Sequence, residues 1–112
     1  MKVAVFGNTL YAGVMAALLS ESGHFVYCSA QLNQRATAFQ YAFHDENVSR
    51  LLNQQLKTGF LHYVDFANIP LDIDVYFYSF SQNQQAQAFE LLNELQQRPI
   101  IHPKLMINAS TF

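Results

Sequence analysis

The chain predicts an α/β domain: a Rossmann-like open parallel sheet of five strands in the order 3-2-1-4-5, with helices on both faces. Three observations carry that expectation. Residues 1 to 28, MKVAVFGNTLYAGVMAALLSESGHFVYC, run as strand, glycine turn, helix, glycine and second strand, which is one βαβ unit. Farther along, stretches of helical periodicity continue to alternate with apolar runs of strand length, giving the order β-α-β-α-β-β-α-β. Such runs are continuously apolar, as strands covered on both faces are, and helices on the crossovers make the strands parallel.

Each element has its own signal. Residues 2 to 6 (KVAVF) form the first strand, and residues 10 to 22 a helix with Val14, Ala17 and Leu18 at helical spacing and Gly23 as its C-terminal cap. Residues 24 to 28 (HFVYC) are the second strand. A short helix is expected around residues 32 to 40, then a loop near His44 and Asp45. Asp45 opens a clearer helix, with Val48, Leu51, Leu52 and Leu56 at spacings of three and four before Gly59 stops it. Residues 60 to 64 (FLHYV) read as the third strand. Pro70, Asp72 and Asp74 punctuate a loop before residues 74 to 79 (DVYFYS), whose β-formers mark a central fourth strand. A Gln-rich helix follows over residues 83 to 97, with Ala86, Phe89, Leu92 and Leu95 on its inner stripe. Pro99 and Pro103 then precede a fifth strand, residues 104 to 109 (KLMINA).

Bulk properties narrow the function. At 112 residues the chain is one domain, 1 to 112, large enough for a core and short for a complete two-substrate enzyme. Only 12% of residues are charged against 51% hydrophobic, so Gln, Asn and Ser must cover much of the surface. A net charge of −2 without a Lys/Arg cluster supplies no footprint for nucleic acid. The run VAVF ends at Gly7 and no later run reaches membrane-spanning length, so neither a signal peptide nor a membrane partner is expected. The single cysteine, Cys28, fits a reducing cytoplasm and reads as a buried structural thiol.

The first turn carries the chemistry. A dinucleotide-binding turn uses G-x-G-x-x-G: one glycine for the bend, one for backbone approach to the pyrophosphate, one for packing helix on strand. Here those places hold Gly7, Thr9 and Ala12. The acidic residue expected about 20 residues on, which would bind the ribose hydroxyls, is replaced by Ala30. Gly7, Asn8, Thr9, Leu10, Tyr11 and Ala12 are therefore the candidate cofactor contacts, at a helix N-terminus whose N–H groups and dipole attract anions. A relic turn kept for folding is the competing reading. A third has Asn8 and Thr9 contacting a different phosphate-bearing ligand.

Four segments resemble the amino-terminal domain of the UDP-glucose/GDP-mannose dehydrogenases. MKVAVFG and ESGHFVYC are similar to that family's MKIAVxG and ExGHxVxC; LLNQQLKTGFLHYVDF resembles LxxxLxxGxLxxTxD; IDVYFYSF resembles ADVxFIAV; and INAST resembles VxKST. The resemblance implies NAD as cofactor and a sugar nucleotide as substrate. It places Arg35 near the adenosine ribose, Thr111 at a loop threonine, and Ser81, Gln82 and Asn83 where the family has a glycine-threonine-proline loop. At position 9 a side chain stands where the pyrophosphate should meet backbone, with a further cost of about 1 to 2 kcal/mol if the position requires positive φ.

The family oxidises a sugar-nucleotide alcohol to an acid by two hydride transfers to NAD, through a thiohemiacetal on a cysteine of a later domain. Cys28 does not match that nucleophile, so the domain is not catalytically competent alone. Its end at STF, just past a strand, is expected to mark truncation from a longer chain. His24, His44, His62 and His102 lack metal-ligand spacing and read as structural or exposed. Asp45 and Glu46 beside His44 read as helix caps and dipole partners before acid-base groups. Tyr76, Tyr78 and Phe80 alternate with Phe77 and are either core or part of a homo-oligomer contact. Three functions stay open: a cofactor domain of a dehydrogenase-like protein, a regulatory module binding another nucleotide or a protein, and a scaffold without a small ligand.

Overall fold

A computed structural model of the chain describes residues 1–7, 9–29, 46–64, 66–80, 85–97 and 105–110. The elements are β1 (Lys2–Gly7), α1 (Leu10–Glu21), β2 (Phe25–Ser29), α2 (Glu46–Thr58), β3 (Leu61–Tyr63), a short 3-10 turn (Phe66–Asn68), β4 (Val75–Ser79), α3 (Gln85–Gln97) and β5 (Leu105–Asn108). The strands form one sheet in the order β3-β2-β1-β4-β5, as the sequence predicts. Every neighbouring pair is parallel, with Val3 level with Val26 and Val75, Val26 with Leu61, and Val75 with Leu105. The expected helix at 32 to 40, the loop at His44 and Asp45, and the cap at Asp45 lie outside the described residues.

α1 ends in a Schellman motif. Gly23, at φ +93°, donates its N–H to Ser20 O, and His24 donates to Leu19 O. Because the His24 N–H closes the helix, β2 starts one residue later than expected, at Phe25. β3 is short, yet its ladder extends at both ends: Val26 N–H donates to Phe60 O and Val64 N–H to Cys28 O.

The two sheet faces hold separate cores. Under α1 and α2 lie Val3, Val5, Val26, Cys28, Leu61 and Phe77 with Ala12, Ala16, Ala17 and Leu52. Under α3 lie Ala4, Phe6, Tyr76, Tyr78 and Phe80 with Ala88, Leu91 and Leu95, joined by Ile69 and Ile73 from the β3–β4 connection. The alternating aromatics Tyr76, Tyr78 and Phe80 thus belong to the interior of the domain.

Two helix faces differ from expectation. In α1 the buried positions are Ala12, Gly13, Ala16, Ala17 and Ser20, whereas Leu18 is 49% exposed. A helix packed directly on the central strands selects small side chains for close approach, so volume overrides hydrophobicity. The buried Ser20 hydroxyl is satisfied by Ala16 O and Ala17 O. In α3 the inner residues are Ala88, Leu91 and Leu95 with Leu92 beside them, while Ala86 is exposed and Phe89 is 58% exposed. A strict spacing of three drifts around the cylinder, whereas i, i+3, i+4, i+7 keeps to one face.

At the N-terminal end of the sheet, Lys2 N–H donates to Asp74 Oδ2 at 2.9 Å and Asp74 N–H returns to Lys2 O at 2.8 Å. Lys2 Nζ also meets Asp72 Oδ2 at 2.6 Å. That hydrogen bond lifts the Lys2 ammonium above its ordinary pKa and holds the Asp72 carboxyl below its own. Both groups face solvent, so the pair orients the loop more than it stabilises the fold. At the opposite edge, β5 leaves Leu105, Met106 and Ile107 exposed. Among the described residues, no helix is long and apolar enough to cross a membrane.

Cys28 is 1% exposed, and burial pushes its thiol far above the ordinary cysteine range. The native protein is therefore expected to resist a maleimide over hours and to react within minutes in denaturing urea, as read by mass spectrometry. Rapid labelling of the native protein would contradict the buried position.

Candidate functional site

The sheet order reverses between β1 and β4. The chain leaves β1 toward β2 on one side and leaves β4 toward β5 on the other, opening a crevice at the C-terminal ends of these strands, where open α/β sheets bind ligands. The residues at this crevice come from the β1–α1 turn and from the ends of β4 and β5.

Gly7 closes β1 at φ +121°, level with Ser79 of β4. A Cβ there would run into the Ser79 carbonyl oxygen and stand 2.6 Å from the carbonyl carbon. Glycine is thus required twice over, by its dihedral angle and by the closeness of the two strands. Ala12 is fully buried and, with Gly13, seats the first turn of α1 against the sheet, the place of the third glycine.

Thr9 is the N-cap of α1, at φ −83° and ψ 162°. This extended conformation suits any residue, so the positive-φ cost weighed for position 9 does not arise. Its hydroxyl sits in a directed chain of hydrogen bonds. Ala12 N–H donates to Thr9 Oγ1 at 3.3 Å; Thr9 Oγ1 donates to Ser79 Oγ at 2.6 Å, with Ser79 O at 3.3 Å; and Ser79 Oγ donates to Ala109 O at 3.1 Å. Ser110 Oγ accepts from Phe80 N–H at 2.9 Å, and Ala109 N–H donates to Tyr78 O at 2.9 Å. The turn and the ends of β4 and β5 are therefore tied together by side-chain hydroxyls.

Leu10 and Tyr11 supply the remaining N–H groups of the first turn, which have no intrahelical acceptor by position. The Tyr11 side chain is exposed and Leu10 half-buried. No acidic residue occupies this turn, so the positive end of the helix dipole is not neutralised by a carboxylate of its own.

Of the sequence-predicted contacts, Gly7, Thr9, Leu10, Tyr11 and Ala12 meet at this crevice, whereas Asn8, Ala30, Arg35, Ser81 and Thr111 lie outside the described residues. Ser79 and Ser110 were not foreseen. Ser79 had a signal, a polar residue in the otherwise apolar run VYFYSF: a buried hydroxyl in a central strand demands a partner. Among the described residues, no three His, Cys, Asp or Glu side chains cluster as metal ligands. His24 Nδ1 lies 3.2 Å from the Met1 amine and His62 stacks on Tyr27 at 5.1 Å, while His44 and His102 lie outside the described residues.

Against NAD, the residues fit in part. Gly7, Ala12 and Gly13 give the tight bend and close helix packing that a pyrophosphate turn needs. Thr9 departs from the glycine pattern, carrying a side chain whose hydroxyl is bonded to Ser79.

No family model and no curated protein matches this sequence. Solved structures do match the fold. A UDP-D-ManNAc dehydrogenase from Pyrococcus horikoshii superposes with a TM-score of 0.75 at 16% identity, over 99% of this chain and 28% of its own. The GDP-mannose dehydrogenase of Pseudomonas aeruginosa, solved as a ternary complex, gives 0.73 at 22% identity, over 100% of this chain and 29% of its own. A UDP-N-acetyl-mannosamine dehydrogenase from Staphylococcus aureus gives 0.73 at 15%, again over 100% and 29%. This chain spans less than a third of each of those proteins, and its fold is the Rossmann-like fold found in the nucleotide-sugar dehydrogenases that its sequence resembles.

Proposed function

We propose that this chain is the nucleotide-binding domain of a UDP-glucose/GDP-mannose dehydrogenase-like protein, weakened in NAD binding and not catalytic alone. The observation that carries the reading is the β1–α1 turn at the reversal point of the sheet, with Gly7 enforced by Ser79 and the first turn of α1 free of acidic residues. The ligand class is a dinucleotide with a sugar nucleotide as the partner substrate, because the three structural neighbours are dehydrogenases of UDP- or GDP-linked sugars. Weakening is supported by Thr9 in the second glycine's place and by Ala30 where a ribose carboxylate is expected. The single buried thiol suits the cytoplasm.

An amide-resolved NMR titration tests this reading, with NAD and a UDP-sugar added separately. NAD at millimolar concentration is expected to shift Gly7 and the first turn of α1. The double variant Thr9→Gly with Ala30→Asp is expected to bind NAD about tenfold or more tightly than the parent, since a carboxylate on the ribose hydroxyls makes charge-assisted hydrogen bonds. A parent that ignores NAD and a double variant that gains nothing would sink the proposal. The second reading, a module that kept the fold for another nucleotide or a protein, is favoured by the engagement of Thr9 with Ser79 and would then stand.

A further inference from the structure

We propose that the half of the sheet face left open beside α3 is a self-association surface, on which a second copy of this chain docks about a twofold axis. The opening comes from the connection between β3 and β4. A parallel crossover ordinarily carries a helix that covers the strands it joins. Here residues 66–74 carry a single 3-10 turn and a loop, which sends Ile69 and Ile73 into the α3 core. The inward side chains Ala88, Leu91 and Leu95 of α3 pack with Ala4 and Phe6 of β1 and with Tyr76 and Tyr78 of β4. Among the described residues α3 is the one helix of this face, so the β2–β3 half has none of its own.

What lies open there is aromatic. Side chains alternate along a strand, so Phe25 and Tyr27 point away from the core that holds Val26 and Cys28, as Phe60 and His62 point away from Leu61. Phe25 is 45% exposed and rests on Phe60 with ring centroids 5.4 Å apart; in the next row Tyr27 stacks on His62 at 5.1 Å. Two adjoining ring pairs thus form a shelf. Lys2, level with Phe25, borders it and reaches Asp72, whose neighbour Leu71 is 37% exposed. Aromatic side chains at the centre and charge at the border are the anatomy of a protein–protein contact.

The charges select the occupant. Lys2 and Asp72 stand side by side, so a partner of uniform charge is attracted by one and repelled by the other. A copy turned about a twofold presents its Asp72 to Lys2 and its Lys2 to Asp72, and every charge meets its opposite while the uncharged rings meet at the axis. The net charge of −2 adds little repulsion between copies. Area then sets the strength: the open side chains provide on the order of 400 Å² per copy, about 800 Å² for the pair, short of the roughly 1,200 Å² or more of stable complexes. The dimer is therefore reversible, with a Kd on the order of 100 µM. Lys2 and Phe25 begin their strands, whereas the crevice lies at the C-terminal ends, so association leaves the ligand turn open and does not depend on what binds there.

Sedimentation equilibrium of the full chain tests this, from about 10 µM to about 1 mM so as to bracket that constant, with amide shifts followed on dilution. The parent is expected to pass from monomer to dimer, with shifts centred on Phe25, Tyr27, Phe60 and Leu71. Phe25→Lys, which puts a charge on the axis, is expected to stay monomeric throughout. Lys2→Glu and Asp72→Lys each leave two like charges at the border and are expected to self-associate about tenfold more weakly, whereas an equimolar mixture of the two is expected to regain association as a heterodimer. That mixture carries the test should Phe25→Lys not fold. A parent that sediments as a monomer at the highest concentration would overturn the inference. So would a dimer indifferent to Phe25→Lys and to the charge variants, including one lost instead in Ile107→Lys, which would place the contact on the exposed edge of β5.

Discussion

Replacing Gly7 with alanine is expected to destabilise the protein by about 3 kcal/mol or more, the combined scale of a strained positive-φ residue and a forced backbone displacement. The methyl group would be driven into the Ser79 carbonyl at the junction of β1 and β4, and neither strand can move aside. β1 is hydrogen-bonded to β2 on its other edge, and β4 to β5. Urea denaturation followed by circular dichroism measures the change. Against the usual total of about 5 to 15 kcal/mol, such a loss removes roughly a fifth to more than half of the stability. A loss below about 1 kcal/mol would mean that the strands are not in such close contact. Because Gly7 also belongs to the candidate ligand turn, this result separates structural need from ligand need: the glycine is indispensable even if nothing binds.

Phe6→Ala is expected to cost about 3 to 5 kcal/mol, the range for emptying an aromatic side chain from a packed core. Phe6 is 1% exposed and stacks on Tyr76 with ring centroids 6.4 Å apart and planes 8° from parallel. It lies in the α3 core, among Ile73, Tyr78 and Leu91. Denaturant midpoints with an unchanged m-value would report the loss. Phe6→Leu, which refills most of the volume, is expected to recover more than half of it. Equal losses in the two variants would indicate that ring stacking, not volume, holds the site.

The sequence made the sheet readable because its signals are local and redundant. Short apolar strands, helices between them and the Gly23 and Gly59 stops each agree with one topology, and the strand order follows from where the crossovers lie. The helix faces were less readable. Hydrophobicity points α1 inward through Leu18, but the requirement for small residues comes from how near the sheet lies, a distance that periodicity does not encode. In α3 both Phe89 and Leu91 belong to plausible stripes, and only the sheet beneath decides between them. At the site, Gly7 was visible as a motif residue, yet the reason for it, the Ser79 carbonyl, sits in another strand. The Thr9–Ser79 bond joins positions 70 residues apart and leaves no local pattern. Thr9 reads in sequence as a missing glycine, and only the packed sheet turns it into a tethered hydroxyl.

The reversal of strand order has a meaning in time as well as in space. During vectorial synthesis, β1 is followed by α1, β2, α2 and β3, so everything on its β2 side has emerged by residue 63. Its other edge must wait for β4: the Lys2–Asp74 pairing that fixes it spans 72 positions. Closing so long a loop costs more chain entropy than pairing neighbouring strands, so topology favours the β1–β4 join as a late step. The crevice of the finished domain is the seam of that late join. Gly7 and Ser79 therefore mark the point where the two sides of the sheet meet, and the crevice forms only once β1 and β4 have paired.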